Sequence, residues 1–566
     1  MDGGVERYVL IRGRGAGGAR VIPRAPGTLT FQNHNLFKHE KAMNMPGYRT
    51  FRGSRVAGAA LAFGLILGLG GCGDIFDVEL PAQLTSEVLD DPVGATTQIN
   101  SVIVMFENSM SDFKYIIHGH EDGGEIAFAS PSISNSLHAY SATAPDFAAT
   151  NTTGQPGGFL QARLFAKNLH EKLDKTWTVA QVPKRLQYLA ISSLYEGAVY
   201  AWMGSTLCEG ALDSGKMLSQ ANMYALADQY LTRAITEIQA AGGDFAMPFN
   251  ITSSALTMAY GFRAQNSWMS GNMQGAVNDA LKVPNKYYAY LTREATSTRR
   301  NLPYYNGPAA KFAILQRTIT WWQGENRQPN PATGVKWPDP IPFTGYTNLG
   351  ILPDGRAIRD DGLPIRVRPP VGWAIGSDVG RNAAIEDAAV ADVRVPFALL
   401  LAGSFSGLQE VSTKWPSCAP TVCGNNGGGT GQAAYIPLVN WKEMVLLRAE
   451  AAGGQAAIDL VNTIRTSDGM PLVTYLAPGN AKGIKWMIIE ERRRTLLQEG
   501  RYYYTKLKNL DMLWFPRLQG NMPTSQGAYQ GGVRLVMPDA EYQLNPNIRD
   551  INKRGSGCDA ASRPSF

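Results

Sequence analysis

Between Phe159 and Val283 apolar residues recur at helical spacing and the breaks between runs are short. Phe159–Thr176 sets Ala162, Phe165, Ala166, Leu169 and Leu173 on one face. In Pro183–Met203 the row Leu186, Ala190, Leu194, Ala198 runs beside a row of small residues, Ser193, Gly197 and Ala201, which permits close helix–helix approach. Ser219–Ala241 carries Leu231, Ala234, Ile235 and Ile238 and stops at Gly242-Gly243. Ser254–Ser270 and Met273–Val283 form a pair broken at Gly271-Asn272. A helix with one apolar face must bury it, so consecutive helices of this kind are expected to stack as tetratricopeptide-like pairs. The full repeat consensus is missing, which predicts the pairs but not a regular array.

The flanks differ. An earlier helix is predicted over Asp91–Asn108, with Ile99, Val102, Ile103 and Phe106 buried. Gly119–Gly158 is rich in Ser, Gly, Asn and Thr and reads as loop. From Lys286 to Gly431, Pro, Gly and aromatic residues interrupt the pattern. Helical spacing is clearest there over Ala309–Thr320, and Ile365–Val367 and Val395–Leu401 read as strands. So long an irregular stretch points to a functional layer. Helices are predicted again over Ile436–Ala452, Ala456–Thr466 and Gly483–Glu499.

The formal charge of +6 comes from 53 Lys and Arg against 47 Asp and Glu, but it is unevenly placed. Residues 1–71 hold ten basic and three acidic residues, which leaves 43 and 44 for 72–566. The body is thus nearly neutral and carries no footprint for nucleic acid. Arg49, Arg52 and Arg55 precede the apolar run Val56–Leu69, which ends in Leu69-Gly70-Gly71-Cys72. This is the pattern of a bacterial lipoprotein signal over 43–71, with Cys72 as the lipidated residue and 72–90 as a tether. Met43 and Met45 stand at the natural start of such a signal, so 1–42 is expected to be an extension outside the mature protein. Gly13, Gly15 and Gly18 match a dinucleotide fingerprint there, but Pro23 and Pro26 break the helix it needs. In an exported protein the remaining cysteines are expected to pair, Cys418 with Cys423 and Cys208 with Cys558.

The most specific wording lies in Ile484–Lys508, where Arg493 falls on an apolar helix face and needs a buried partner. Glu491, Arg492, Leu496, Glu499, Gly500 and Leu507 resemble the C-terminal signature of the SusD/RagB family, while Thr495, Tyr502 and Thr505 stand where that family has Glu, Arg and Asp. Tyr435–Ala452 resembles the family segment ending in A-E-A. Ala457–Pro471 resembles its L-N-x-I-R segment, and Val536–Ile548 its closing P-x-x-E-x-x-x-N-P-N. The resemblance implies a mostly α fold over 91–566. Helix pairs over 91–285 and 436–500 would carry an irregular ligand-binding layer over 286–435 with few short strands. It further implies a cell-surface lipoprotein of the outer membrane, non-enzymatic, that captures a nutrient such as an oligosaccharide for a SusC-like TonB-dependent transporter.

Flat aromatic faces suit sugar rings, whose C–H faces are apolar and whose hydroxyls need polar neighbours. Tyr304, Tyr305, Trp321, Trp322, Trp337 and Tyr346 are the candidates, with Asn301, Gln323 and Asn326 nearby in sequence. His118 and His120, followed by Glu121 and Asp122, are the densest group of metal-ligand types, but no further ligand is identifiable, so neither metal nor cofactor is expected. No nucleophile elbow or phosphate loop is present. The other functions the residues allow are a glycoside hydrolase and a protein-binding helical scaffold.

Overall fold

A computed structural model describes residues 89–120, 125–126, 158–295, 299–305, 431–470, 472–473, 476–509, 534–535, 537 and 539–550, with short strands and single residues between 312 and 414. Its helices are α1 (Ala95–His120), α2 (Phe159–Lys175), α3 (Arg185–Thr206), α4 (Gln220–Ala240), α5 (Ala255–Ser270) and α6 (Met273–Ala280). After a short α7 (Leu302–Tyr305) come α8 (Trp441–Ala452), α9 (Gly454–Ser467), α10 (Ala481–Thr495), α11 (Tyr502–Lys508) and α12 (Asp539–Leu544). The fold is mostly helical. Consecutive helices pack on one another: α1 on α2, α2 on α3, α3 on α4, α4 on α5 and α5 on α6, with α8 against both α6 and α10.

The sequence stops these helices where its chemistry demands. Ser219 and Asn222 cap α4 reciprocally in a capping box. Gly271 closes α5 at φ 89°, and the Asn272 side chain then opens α6 by accepting from the Gly275 amide at 3.0 Å. Ile99, Val102, Ile103, Ala162, Ala166, Leu173, Ala190 and Leu194 are buried as their spacing predicts. Leu186 is the exception in its row, 39% exposed, because it lies in the first turn of α3. Phe106 packs edge-on to Phe159 and Tyr195, and Phe159 stacks on Trp202 at 4.0 Å.

Two close approaches depend on missing side chains. A Cβ on Gly197 would lie 2.8 Å from Leu231 Cγ, which lets α4 sit against α3. A Cβ on Gly261 would lie 2.3 Å from Val439 Cγ1. Gly261→Ala is therefore expected to lower stability by about 1–3 kcal/mol, where the same change in an open helix gains about 1 kcal/mol. Thermal melts should show Val439→Ala restoring part of the loss. If Gly261→Ala stabilises the protein, this packing is wrong.

The strands are short antiparallel pairs. Small ones are β1 (Glu209–Gly210) with β2 (Leu218–Ser219), and, after β3 (Tyr288–Leu291), β4 (Phe397–Leu401) with β5 (Leu408–Ser412). β3 pairs with β6 (Ile436–Asn440), with Pro437 opposite Tyr290. This corrects the helix expected over Ile436–Ala452: the first five residues are strand. Ile436 and Val439 are β-branched, Pro437 resists a continuing helix, and Asn440 caps α8 by accepting from the Lys442 amide at 2.9 Å. Within Ala309–Thr320, also expected to be helical, Phe312–Ala313 is strand, paired with Glu125–Ile126. Val367–Arg368 pairs with Ala384–Ile385.

The described residues all belong to one compact unit, Ala82–Phe566. Near its C-terminus the chain returns to α3. Leu535 forms a parallel bridge with Leu207, and the Cys208 amide donates to Leu535 O at 2.8 Å. Asn545 and Asn547 donate to Gly215 O and Ser214 O, and Tyr542 donates to Glu209. Ala211, Met537, Tyr542 and Ile548 make a second small core beneath. The family-like closing segment is thus a strap. Cys208 is disulfide-bonded. Its partner, and the expected Cys418–Cys423 pair, lie outside the described residues.

Candidate ligand-binding face

The signature residues form a buried charge cluster. Glu491, on α10, accepts from Arg465 of α9 at 2.6 Å and from Arg394 at 2.6 Å. Burial pushes its carboxyl pKa up, and the two guanidinium groups more than reverse this, holding it at about 2. Arg394 also donates to Thr495 at 2.9 Å, so the hydroxyl is used where the family has a carboxylate. Glu450, from the A-E-A segment, accepts from Arg492 at 3.1 Å and from Trp268 Nε1 at 3.0 Å, while the Arg492 guanidinium lies 4.2 Å from the Trp268 ring. Glu443 accepts from Arg501 at 2.8 Å and from Gln265 at 2.8 Å. Arg493 is buried as well, 4% exposed. The separate motifs are therefore parts of one cluster, in which α8, α9 and α10 are cross-linked by charge-assisted bonds.

α10 ends at Thr495, before the expected Glu499. Leu496–Gly500 is a turn, with Gln498 at φ 57° and Gly500 at φ 68°. A Cβ on Gly500 would meet Lys114 Cγ at 2.9 Å. The turn aims the Glu499 carboxylate at Lys414 Nζ (2.8 Å) and Asn440 Nδ2 (3.2 Å), while Lys114 donates to Glu499 O and to Pro437 O. Arg394 and Lys414 both come from the irregular stretch 286–431, and each ends on a signature carboxylate. The signature thus joins that stretch to the helical scaffold.

Beside this junction stands a ledge of three tyrosines. Side chains alternate along a strand, so Tyr288 and Tyr290 share one side of β3, half-buried, while Ala289 and Leu291 face the core. Their rings stack at 5.4 Å and 15°. Tyr435, one residue before β6, tilts over Tyr290 at 5.9 Å. Trp441 Nε1 donates to Tyr288 OH at 3.1 Å and fixes one end. Burial, with the Glu499 charge, pushes the Tyr290 phenol up to about 12 and Tyr288 up as well. The phenols are therefore neutral donors over the whole physiological range. Two residues past Tyr290, Thr292 Oγ1 accepts from Arg299 Nη2 at 2.7 Å, and the guanidinium lies 5.1 Å from the ring of Phe249. Phe249 and Asn250 both hold φ 59°, rare for a bulky residue, and the Tyr290 amide donates to Ile251 O at 3.0 Å.

Of the residues expected at the site, Tyr304 and Tyr305 lie on α7, which packs against α1 and the turn Gly431–Ala433. Asn301, just before α7, is fully buried and donates to Ala434 O at 3.0 Å, which is a structural duty. Trp321, Trp322, Trp337 and Tyr346, with Gln323 and Asn326, lie outside the described residues, as do Cys72, Cys418, Cys423 and Cys558. Tyr288, Tyr290 and Tyr435 are not among the residues expected at the site from the sequence. The Tyr-Ala-Tyr-Leu alternation was the available signal.

Among the described residues no group of His, Cys, Asp and Glu could hold a metal ion. One arrangement superficially suggests a hydrolytic triad: Glu237 accepts from Ser193 Oγ and meets His170 Nε2 at 2.7 Å. The order is unsuitable, because the carboxylate separates the hydroxyl from the imidazole. Arg233 Nε also donates to Ser193 Oγ at 2.8 Å, which makes the oxygen a poorer nucleophile.

No family model and no curated protein matches this chain. Among solved structures it is similar to a laminarin-binding SusD-like protein, with 14% identity, TM-score 0.44, and 80% of this chain and 98% of that one covered. It is similar to a SusD-like carbohydrate-binding protein from Bacteroides vulgatus ATCC 8482, at 12% identity and TM-score 0.46, covering 84% and 98%. A third is surface glycan-binding protein A from Bacteroides thetaiotaomicron in complex with laminarihexaose, at 12% identity and TM-score 0.45, covering 81% and 98%.

Proposed function

We propose that this protein binds a neutral oligosaccharide on the Tyr288–Tyr290–Tyr435 ledge. The observation that carries the proposal is the ledge itself: three half-buried rings in a row, with neutral phenols, at the junction of the helical scaffold and the irregular stretch. A sugar lays its apolar face on such rings and turns its hydroxyls to polar neighbours. Tyr304, Tyr305, Trp321, Trp322, Trp337 and Tyr346 are proposed to contribute further stacking surface from the irregular layer.

The wider role is supported by the lipoprotein-signal pattern ending at Cys72 and by the ordered signature segments. The protein is proposed to be held at the outer membrane, facing outward, by lipid on Cys72 and to pass its ligand to a SusC-like TonB-dependent transporter without chemical conversion. Among the described residues no helix is long and apolar enough to cross a membrane. Cys72→Ser is expected to release the protein from the membrane fraction or leave it unprocessed. Unchanged processing and fractionation would remove the lipid anchor from this account.

Calorimetric titration with a panel of neutral oligosaccharides tests the ledge. Tyr290→Ala and Tyr435→Ala should each weaken binding about fivefold to thirtyfold, corresponding to roughly 1–2 kcal/mol for a lost stacking contact. Tyr230→Ala, on α4 beside Arg233, serves as a control, and melts report folding. Full affinity in both folded variants, or steady turnover of the sugar by the wild type, would contradict the proposal.

A further inference from the structure

A second concavity, lined by none of the ledge residues, lies where α4 begins and α5 ends. These two helices pack on each other, and Leu231, Ala234 and Ile238 on α4 and Met258, Ala259 and Phe262 on α5 are all buried. At this end the small residues Ala221 and Ala225 on α4 and Ser267 and Ser270 on α5 line the gap, beside the larger Tyr224 and Met269. They leave an open cleft of about 940 Å³, bounded by β1, β2 and Arg534. That volume lies within the range of small-molecule sites.

The polar atoms around the cleft are of both kinds. Asn222 Oδ1 is taken by Ser219, and Asn272 Oδ1 by the Gly275 amide, so each side chain keeps its amide nitrogen as a donor. Asn266, only 2% exposed, donates to Tyr224 O at 3.1 Å, but its Oδ1 has no partner among the described residues. Arg534 spends Nη1 on Gly204 O and Ser205 O, while its Nε likewise has none. Both of these atoms are themselves buried from solvent, so the groups that a ligand would meet in the open cleft are the exposed amide nitrogens of Asn222 and Asn272 and the carboxylate of Asp228. Met217 and Met269 supply apolar walls between the polar groups. Two carboxylates, Glu209 and Asp228, against one guanidinium, Arg534, give the lining a slight acidic excess, with Glu209 accepting from Tyr542.

The geometry points to a second ligand site here, independent of the tyrosine ledge, for a small neutral polyhydroxylated compound of the sugar class. Hydroxyl groups both donate and accept, which matches the mixed amide, carboxylate and guanidinium lining. A polyanion would have Asp228 against it, and an apolar ligand would leave the amides unmatched.

The test uses the full chain and neutral trisaccharides built of glucose, galactose or mannose, titrated to millimolar concentration. Ala225→Trp fills the cleft from an exposed helix position and should leave the melt unchanged. At least one sugar is expected to bind with an affinity that Ala225→Trp lowers tenfold or more and Tyr290→Ala leaves unaltered. Binding lost in Tyr290→Ala but intact in Ala225→Trp would uphold the ledge and overturn the cleft. Absence of binding by every sugar in the panel would overturn the cleft as well. A panel in which every sugar that binds depends on Ala225 and none on Tyr290 would uphold the cleft and count against the ledge.

Discussion

Glu491→Ala is expected to destabilise the folded protein by roughly 3–5 kcal/mol, because it leaves Arg394 and Arg465 buried without their common counter-charge. Both guanidinium side chains are 5% exposed and the carboxylate 2%, so solvent cannot replace it. Glu491→Gln keeps the shape and loses the charge, and should fall nearly as far. The same carboxylate sets a pH dependence. Its pKa falls from the ordinary 4.5 to about 2 on folding, so its contribution is complete above 4.5 and is lost as pH drops from there towards 2. A shift of this size is worth on the order of 3 kcal/mol. Denaturant midpoints measured between neutral pH and pH 2 should converge for wild type and Glu491→Gln at the acid end. Parallel curves would show that the carboxylate is not charged in the native state. Because Arg394 belongs to the irregular stretch, proteolysis within 286–431 should also accelerate in the variant.

Glu107→Ala should have an effect of similar size, about 3–5 kcal/mol. Glu107 is fully buried on α1 and accepts from Arg293 at 3.0 Å, Arg299 at 2.8 Å and Thr292 at 3.0 Å. Burial already lowers Arg293 to about 10 against the support of Glu107, so removal of the carboxylate would leave a desolvated cation facing a second one. Arg293→Met in the same background should recover part of the loss, since an apolar side chain of similar length carries no charge to desolvate. A double-mutant cycle in urea gives the coupling directly. If the double variant is no more stable than Glu107→Ala, the pair is not the source of the effect. Arg299 and Thr292 adjoin the ledge, so sugar binding should weaken along with stability.

The helix pairs were legible because each needs only its own amphipathic spacing and a stop. Ala162, Leu173 and Ile238 are buried for that reason, and Gly271 closes its helix as read. The strand Ile436–Asn440 was not legible: a short apolar run before a helix has no period of its own, and its partner Tyr288–Leu291 is distant in the chain. The same distance hid the ledge, since Tyr435 joins Tyr288 and Tyr290 only through that pairing. Helical spacing put Arg493 on the apolar face, but it did not show that Glu450, Glu443 and Arg465 from the other family-like segments would enclose its neighbours. Charge clusters are assembled in space, and sequence spacing carries no trace of which acid meets which base.

A crystal structure of the full chain with the best-binding neutral oligosaccharide would test the central claim most directly. The account predicts a sugar ring lying flat against Tyr290, within van der Waals distance of Tyr288 or Tyr435, with Glu491 and Glu499 still holding Arg394 and Lys414. A ligand bound with all three tyrosines untouched would contradict it.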